Sequence, residues 1–83
     1  MTPETRLALE CIKEATNRDE AALFAIAHGY DVLALDNFTI VSENCGWRLD
    51  LHDNYIEARG RYRDIPYSQI KHVLQEEVAR DLS

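Results

Sequence analysis

The sequence predicts an α+β domain in which helices pack on one face of a small antiparallel sheet. Apolar residues recur with a period near 3.6 at both ends of the chain and with a period of 2 in the middle. The links within the middle part are short, which requires neighbouring strands to run antiparallel. Helices and a one-sided sheet bury their apolar faces together when they stack as two layers.

The N-terminal part predicts one or two helices. Thr2 and Pro3 are typical of a helix start, and Asn17 with Glu20 has the spacing of a capping box at the start of a second helix. The apolar positions at helical spacing are Leu7, Cys11, Ile12 and Ala15, then Ala21, Leu23, Phe24, Ile26 and Ala27. Gly29 ends this region, since glycine favours the left-handed position after a helix. The pattern leaves open whether the two helices are separate, kinked or continuous.

The middle of the chain predicts a three-stranded antiparallel meander. Its strands are rich in β-branched and aromatic residues and run over residues 38–43, 47–52 and 55–62. The links are Asn44-Cys45-Gly46 and Asp53-Asn54, both of which contain residues that favour turns. Residues 32–35 are either a short fourth strand or buried coil.

The C-terminal part predicts a third helix. Asp64-Ile65-Pro66 ends the last strand and opens this helix, because proline is tolerated in the first helical turn and excluded from a strand interior. The apolar stripe of the helix is Ile70, Val73, Leu74, Val78 and Leu82. With 83 residues, 46% hydrophobic and 29% charged, the chain has the composition of a single globular domain spanning residues 1–83.

Strand alternation predicts which residues face the helices and which form an open sheet face. The residues expected to face the helices are Phe38, Ile40, Trp47, Leu49, Leu51, Ile56, Ala58 and Tyr62, with Trp47 as a core anchor. The candidate binding residues on the open face are Arg48, His52, Tyr55, Glu57, Arg59 and Arg61. Arginine and tyrosine are enriched where binding energy concentrates at interfaces. The alternative is an ordinary solvated face with cross-strand charge pairs, such as Arg48 with Glu57 or Glu43.

The sequence contains no motif for catalysis, for a metal or for a cofactor. His28, His52 and His72 lie 24 and 20 residues apart, which is not a metal-ligand spacing. His52 could act as a general base that Asp53 orients, but neighbouring residues on a strand point to opposite faces. Cys45 has no activating histidine at a fixed spacing. We therefore expect a protein that is not an enzyme and that binds no metal or cofactor.

The charge distribution argues against direct binding of nucleic acid by the whole surface. The net charge of −6 comes from the two ends of the chain, and a negative field repels phosphates. Arg59, Arg61 and Arg63 beside Tyr55 are the residues that favour the less supported alternative of an RNA- or DNA-binding module.

The sequence also has no signal-peptide pattern and no apolar run of membrane-spanning length, which predicts a cytoplasmic protein with reduced cysteines.

These features predict a small acidic protein-binding domain, an inhibitor or adaptor that docks on a larger, basic or nucleic-acid-binding protein. In size and charge alone it is similar to phage and plasmid anti-defence proteins, including anti-CRISPR proteins and DNA mimics. Besides the sheet face, the alternative contact is an acidic surface with phosphate-like charges, formed by Glu10, Glu14, Asp19, Glu20, Asp31 and Asp36. The alternative function is a structural homodimerisation module that pairs sheet faces or the edge from Tyr55 to Arg63.

Overall fold

The computed structural model describes residues 3–34, 38–41, 48–58 and 64–82. These residues form three α-helices, five β-strands and one turn of 3-10 helix. The helices are α1 (Pro3–Ile12), α2 (Arg18–Ala27) and α3 (Ile70–Leu82), with the 3-10 turn (Tyr67–Gln69) directly before α3. The strands are β1 (Asp31–Ala34), β2 (Phe38–Val41), β3 (Arg48–Leu51), β4 (Tyr55–Ala58) and β5 (Ile65–Pro66).

Two separate helices form the N-terminal part, and the capping residues mark where α2 begins. The Asn17 side chain accepts a hydrogen bond from the Glu20 N–H at 2.9 Å. The Glu20 carboxylate in turn accepts from the hydroxyl and the N–H of Thr16, at 2.6 and 2.8 Å. The bond to Asn17 satisfies the Glu20 N–H, which has no partner inside the helix, and the bonds to Glu20 satisfy Thr16 directly before the cap.

Gly29 ends α2 in the way that the sequence predicts. Its φ of 88° lies in the left-handed region that favours glycine. The N–H of Tyr30 donates to the Ala25 carbonyl and the N–H of Gly29 donates to the Ile26 carbonyl, both at 3.0 Å. These two bonds form a Schellman motif, which turns the chain from α2 directly into β1.

The sheet is antiparallel with the strand order β1-β2-β3-β4-β5, so the predicted number of three strands is wrong. Residues 31–34 form a full strand. Ile65 and Pro66 form another, paired with Ile56 and Tyr55. Proline is tolerated there because β5 is an edge strand, where a missing N–H breaks no ladder. Because β5 occupies this side of β4, Tyr55 and Ile56 do not offer the free edge that was predicted for a homodimer.

The helices pack on one face of the sheet, as predicted, and the core lies between the two layers. The largest fully buried side chains are Leu9, Ile12, Ile40, Leu49, Leu51, Ile56, Ile65 and Ile70. Ala58 is also buried, and Phe38 is half-buried against this core. The predicted sheet faces are thus confirmed for these residues, whereas Trp47 and Tyr62 lie outside the described residues.

The helix faces differ from the predicted stripes in α1 and α2, and Val78 of the predicted α3 stripe is 46% exposed. Leu7 is 62% exposed, and α1 buries Thr5, Ala8 and Leu9 together with Ile12, which was predicted. In α2 the buried residues are Ala21, Ala22 and Ala25. Leu23 and Ile26 are 64% and 57% exposed. Seven of the ten residues of α2 are apolar, so periodicity does not select one face, and small alanines allow the closest approach to the neighbouring layer.

Candidate protein-binding surfaces

Thr39, Asp50 and Arg48 form one hydrogen-bonded group on the sheet face opposite the helices, where Thr39 itself is only 7% exposed. The Thr39 hydroxyl donates to Asp50 Oδ1 at 2.9 Å, across the register that pairs these two residues. Arg48 Nη2 donates to both carboxylate oxygens of Asp50, at 3.0 and 2.9 Å. The partner of Arg48 is therefore the acid two positions along its own strand.

A second group surrounds His52 at the turn between β3 and β4. The rings of His52 and Tyr55 stack with their centroids 4.5 Å apart, and His52 Nε2 lies 3.2 Å from Glu57 Oε1. The Tyr67 hydroxyl donates to the His52 carbonyl at 2.7 Å, and burial raises the pKa of Tyr67 to about 12. Asp53 pairs with Arg18 at 2.8 Å, so its carboxylate is engaged away from the imidazole.

The open face thus brings together four of the six residues predicted for binding, namely Arg48, His52, Tyr55 and Glu57. The other two, Arg59 and Arg61, lie outside the described residues, as does Arg63. On the described part of this face, Arg48 pairs with Asp50 and His52 contacts Glu57. Mutual pairing of this kind is also what an ordinary solvated sheet face shows.

The acids of the predicted phosphate-like surface are partly occupied by the chain itself. Glu10 pairs with Lys13 at 3.2 Å, and Glu14 pairs with Lys71 at 3.0 Å. Glu20 is bound in the α2 cap, where the hydroxyl and then the N–H of Thr16 hold its pKa below the usual range. Asp19 and Asp31 are exposed, on α2 and β1, and Asp36 lies outside the described residues.

An apolar surface that the sequence did not predict lies between α2 and the edge strand β1; we call it the α2–β1 flank. It contains a groove of about 380 Å³. The groove is lined by Asp19, Ala22, Leu23 and Ile26 from α2, Val32 and Ala34 from β1, and Phe38 from β2. The Arg18 guanidinium lies 5.0 Å from the centre of the Phe38 ring and is held by Asp53. The flank therefore joins exposed aliphatic side chains to a partly buried aromatic ring.

The segment that supplies most of the flank is acidic, and Arg18 just before it pairs with Asp19 and Asp53, at 3.8 and 2.8 Å. Residues 19–47, which include nearly all of α2 and the whole of β1 and β2, contain no lysine or arginine. The acids in this segment are Asp19, Glu20, Asp31, Asp36 and Glu43. Residues 19–47 therefore account for −5 of the net charge of −6, and the described acids among them are Asp19, Glu20 and Asp31. A division of the chain at residues 37 and 63 hides this, because the arginines of residues 48–63 offset Glu43 and the other acids of the middle part.

Neither a metal site nor a similar protein of known function indicates what this chain does. Among the described residues, no group of three or more His, Cys, Asp or Glu side chains is placed to hold a metal ion. No helix in that part of the chain is long and apolar enough to cross a membrane. No protein-family model, curated protein or solved structure matches the chain. Function is therefore inferred from the surfaces themselves.

Proposed function

We propose that this domain is an intracellular protein-binding module of the adaptor or inhibitor type, which does no chemistry and binds its partner through the α2–β1 flank. The observation that carries the proposal is the orientation of α2. This helix buries alanines and leaves Leu23 and Ile26 more than half exposed.

The exposed side chains form a patch rather than isolated positions. Leu23 and Ile26 lie three residues apart and therefore on the same face of α2. They line one groove with Val32 and Phe38. Single apolar residues on a surface are ordinary, but contiguous apolar patches beside polar residues are typical of protein interaction sites. A partner that covers this groove removes the patch from water and gains the corresponding hydrophobic free energy.

The flank is better supported as the contact than the two surfaces predicted from the sequence. A partner at Arg48 or Glu57 must compete with the bonds that these side chains already make to Asp50 and His52. A nucleic-acid mimic needs a row of free carboxylates, whereas Glu10 and Glu14 are paired with lysines. The flank loses no hydrogen bond of this kind when it is covered.

The test is capture of partners from the source cell by the tagged full-length chain, with identification by mass spectrometry and measurement of the affinity of the captured partner. We expect Leu23→Gln combined with Ile26→Gln to weaken binding by about 30-fold or more, as is typical of residues at the centre of an interface. Leu7→Gln is the matched control, because Leu7 is equally exposed but lies on α1.

The alternative contact surfaces predict that other variants weaken the complex. A complex that survives the Leu23 and Ile26 changes but is lost in Arg48→Ala or Tyr55→Ala places the contact on the open sheet face and contradicts the proposal. A complex lost only on charge reversal of Glu10 and Glu14 supports a nucleic-acid mimic instead. Glu20 is unsuitable for that comparison, since its reversal also removes the hydrogen bonds that its carboxylate accepts from Thr16.

A further inference from the structure

The two edges of the sheet differ in their capacity to accept another strand. In an antiparallel ladder, alternate residues of an edge strand direct their N–H and C=O groups away from the sheet. At one edge, β5 has two residues, and one of them is Pro66, which has no N–H to donate. At the other edge, β1 has four residues and no proline. Since proline and very short strands protect edges against pairing, β1 is the edge that is open to it.

The groove of the flank lies beside this open edge. Val32 and Ala34 point from β1 towards the helix layer and line the groove with Leu23 and Ile26 of α2. A strand added to β1 lies about 4.8 Å from it and directs every second side chain towards the helix layer. Those side chains meet the exposed aliphatic groups of α2. The side chains between them meet Leu33, which is 46% exposed on the opposite face.

The charge around the flank selects the kind of segment that pairs there. Asp19 lines the groove and lies 3.8 Å from Arg18, which also pairs with Asp53, while Asp31 begins β1 and residues 19–47 contain no lysine or arginine. A segment with lysine or arginine beside its apolar residues is attracted by this field. A second copy of the chain presents the same acids to the same place, so pairing of two β1 strands opposes like charges.

We propose that the α2–β1 flank binds an extended, positively charged segment of the partner protein. This segment adds to β1 as a sixth strand and inserts alternate apolar side chains between β1 and α2. The inference rests on the proposed function, because it names the partner's chemistry and the binding mode at the same surface. Strand addition of this kind takes affinity from main-chain hydrogen bonds and specificity from pockets for alternate side chains.

Selection from a library of random linear seven-residue peptides displayed on phage tests the proposal without knowledge of the partner. The immobilised full-length chain is the target, and the Leu23→Glu variant is used for counter-selection. We expect the enriched peptides to alternate apolar and polar residues and to carry net positive charge. With the best synthetic peptide, we expect amide hydrogen exchange to slow at least tenfold at outward-facing N–H groups of β1 and to stay unchanged in β5.

Several results overturn strand addition, and they separate it from the proposed function. Enriched peptides with apolar residues at helical spacing, bound with no added protection in β1, leave the flank a protein-binding surface but refute the extended mode. Acidic peptides, or none enriched over the counter-selection, refute the basic segment. A stable dimer in light scattering that Leu23→Glu dissociates assigns the flank to a second copy. The proposed function itself fails only if the affinity of the captured partner is unchanged by the substitutions at Leu23 and Ile26.

Discussion

At the scale of single residues, Glu20 stabilises the start of α2 rather than adding a free charge to a binding surface. Its charge makes it a candidate for an acidic binding surface, but its carboxylate accepts two hydrogen bonds from Thr16. The same interactions hold its pKa below the usual value of 4.5, with the Thr16 hydroxyl as the first cause. A carboxylate with a lowered pKa in the folded chain stabilises the fold at pH values above its unfolded pKa. Its contribution is lost as the pH falls through the folded pKa.

The capping pair predicts a pH-dependent change in stability. We expect Asn17→Ala to lower the free energy of unfolding by about 1 kcal/mol, because one N–H of Glu20 loses its acceptor. Glu20→Gln should destabilise the chain above pH 4.5 and lose its effect progressively below that pH. Urea denaturation of the wild type and of each variant between pH 2.5 and pH 7 checks this.

Glu10→Gln provides the control for the cap. Glu10 is also an exposed glutamate of the same region, but it contacts Lys13 in a surface ion pair, which contributes little to stability. A Glu20→Gln variant as stable as the wild type above pH 4.5, or one whose deficit persists undiminished in acid, contradicts the role given to this carboxylate.

Among the elements, α2 depends on its C-terminal glycine for its connection to β1. A Cβ at Gly29 meets no atom within 4 Å, so a side chain fits sterically and only the backbone conformation resists it. We expect Gly29→Ala to lower the free energy of unfolding by about 1 to 2 kcal/mol, since a left-handed conformation is unfavourable for alanine. Thermal and urea unfolding of the purified chain measure the difference.

The Gly29→Asn variant tests whether backbone strain causes the loss of stability expected for Gly29→Ala. Asparagine enters the left-handed region more readily than alanine, so this variant should be the more stable of the two. Equal loss of stability in both variants is inconsistent with backbone strain at φ 88° as the cause.

At the scale of the whole molecule, one leucine lies between the helix and sheet layers and another lies on the outer surface. Leu49 lies in the central strand and is 0% exposed, whereas Leu23 lies on the flank and is 64% exposed. We expect Leu49→Ala to lower the free energy of unfolding by about 2 to 5 kcal/mol. That is a large part of the roughly 4 to 12 kcal/mol expected for a domain of this length.

Leu23→Ala is the matched substitution at the surface. We expect it to change the free energy of unfolding by no more than about 0.5 kcal/mol, because little area is removed from the core and alanine favours a helix. Urea denaturation of both variants under one set of conditions makes the comparison. If Leu23→Ala is the more destabilising variant, α2 is rotated relative to the orientation described above, and the flank is not an exposed surface.

The sequence by itself predicted the α+β class, the capping residues of α2 and the two faces of the described sheet strands. Each of these follows from interactions between residues close in the chain: Asn17 caps its own helix, Gly29 permits its own turn, and alternation assigns Leu49 and Asp50 to opposite faces. Local chemistry of this kind is visible in the order of residues. The predicted contact residues Arg48, His52, Tyr55 and Glu57 lie on the open face for the same reason.

Only the tertiary structure decided which face of α2 is buried and which strands end the sheet. The face of α2 is selected by how closely alanines approach another layer, and periodicity does not rank faces when most residues are apolar. Likewise, Ile65 and Pro66 become a strand only because β4 provides partners 9 and 11 residues earlier in the chain. The α2–β1 flank results from both decisions. Burial is a property of packed layers, and a surface exists only after the layers are packed.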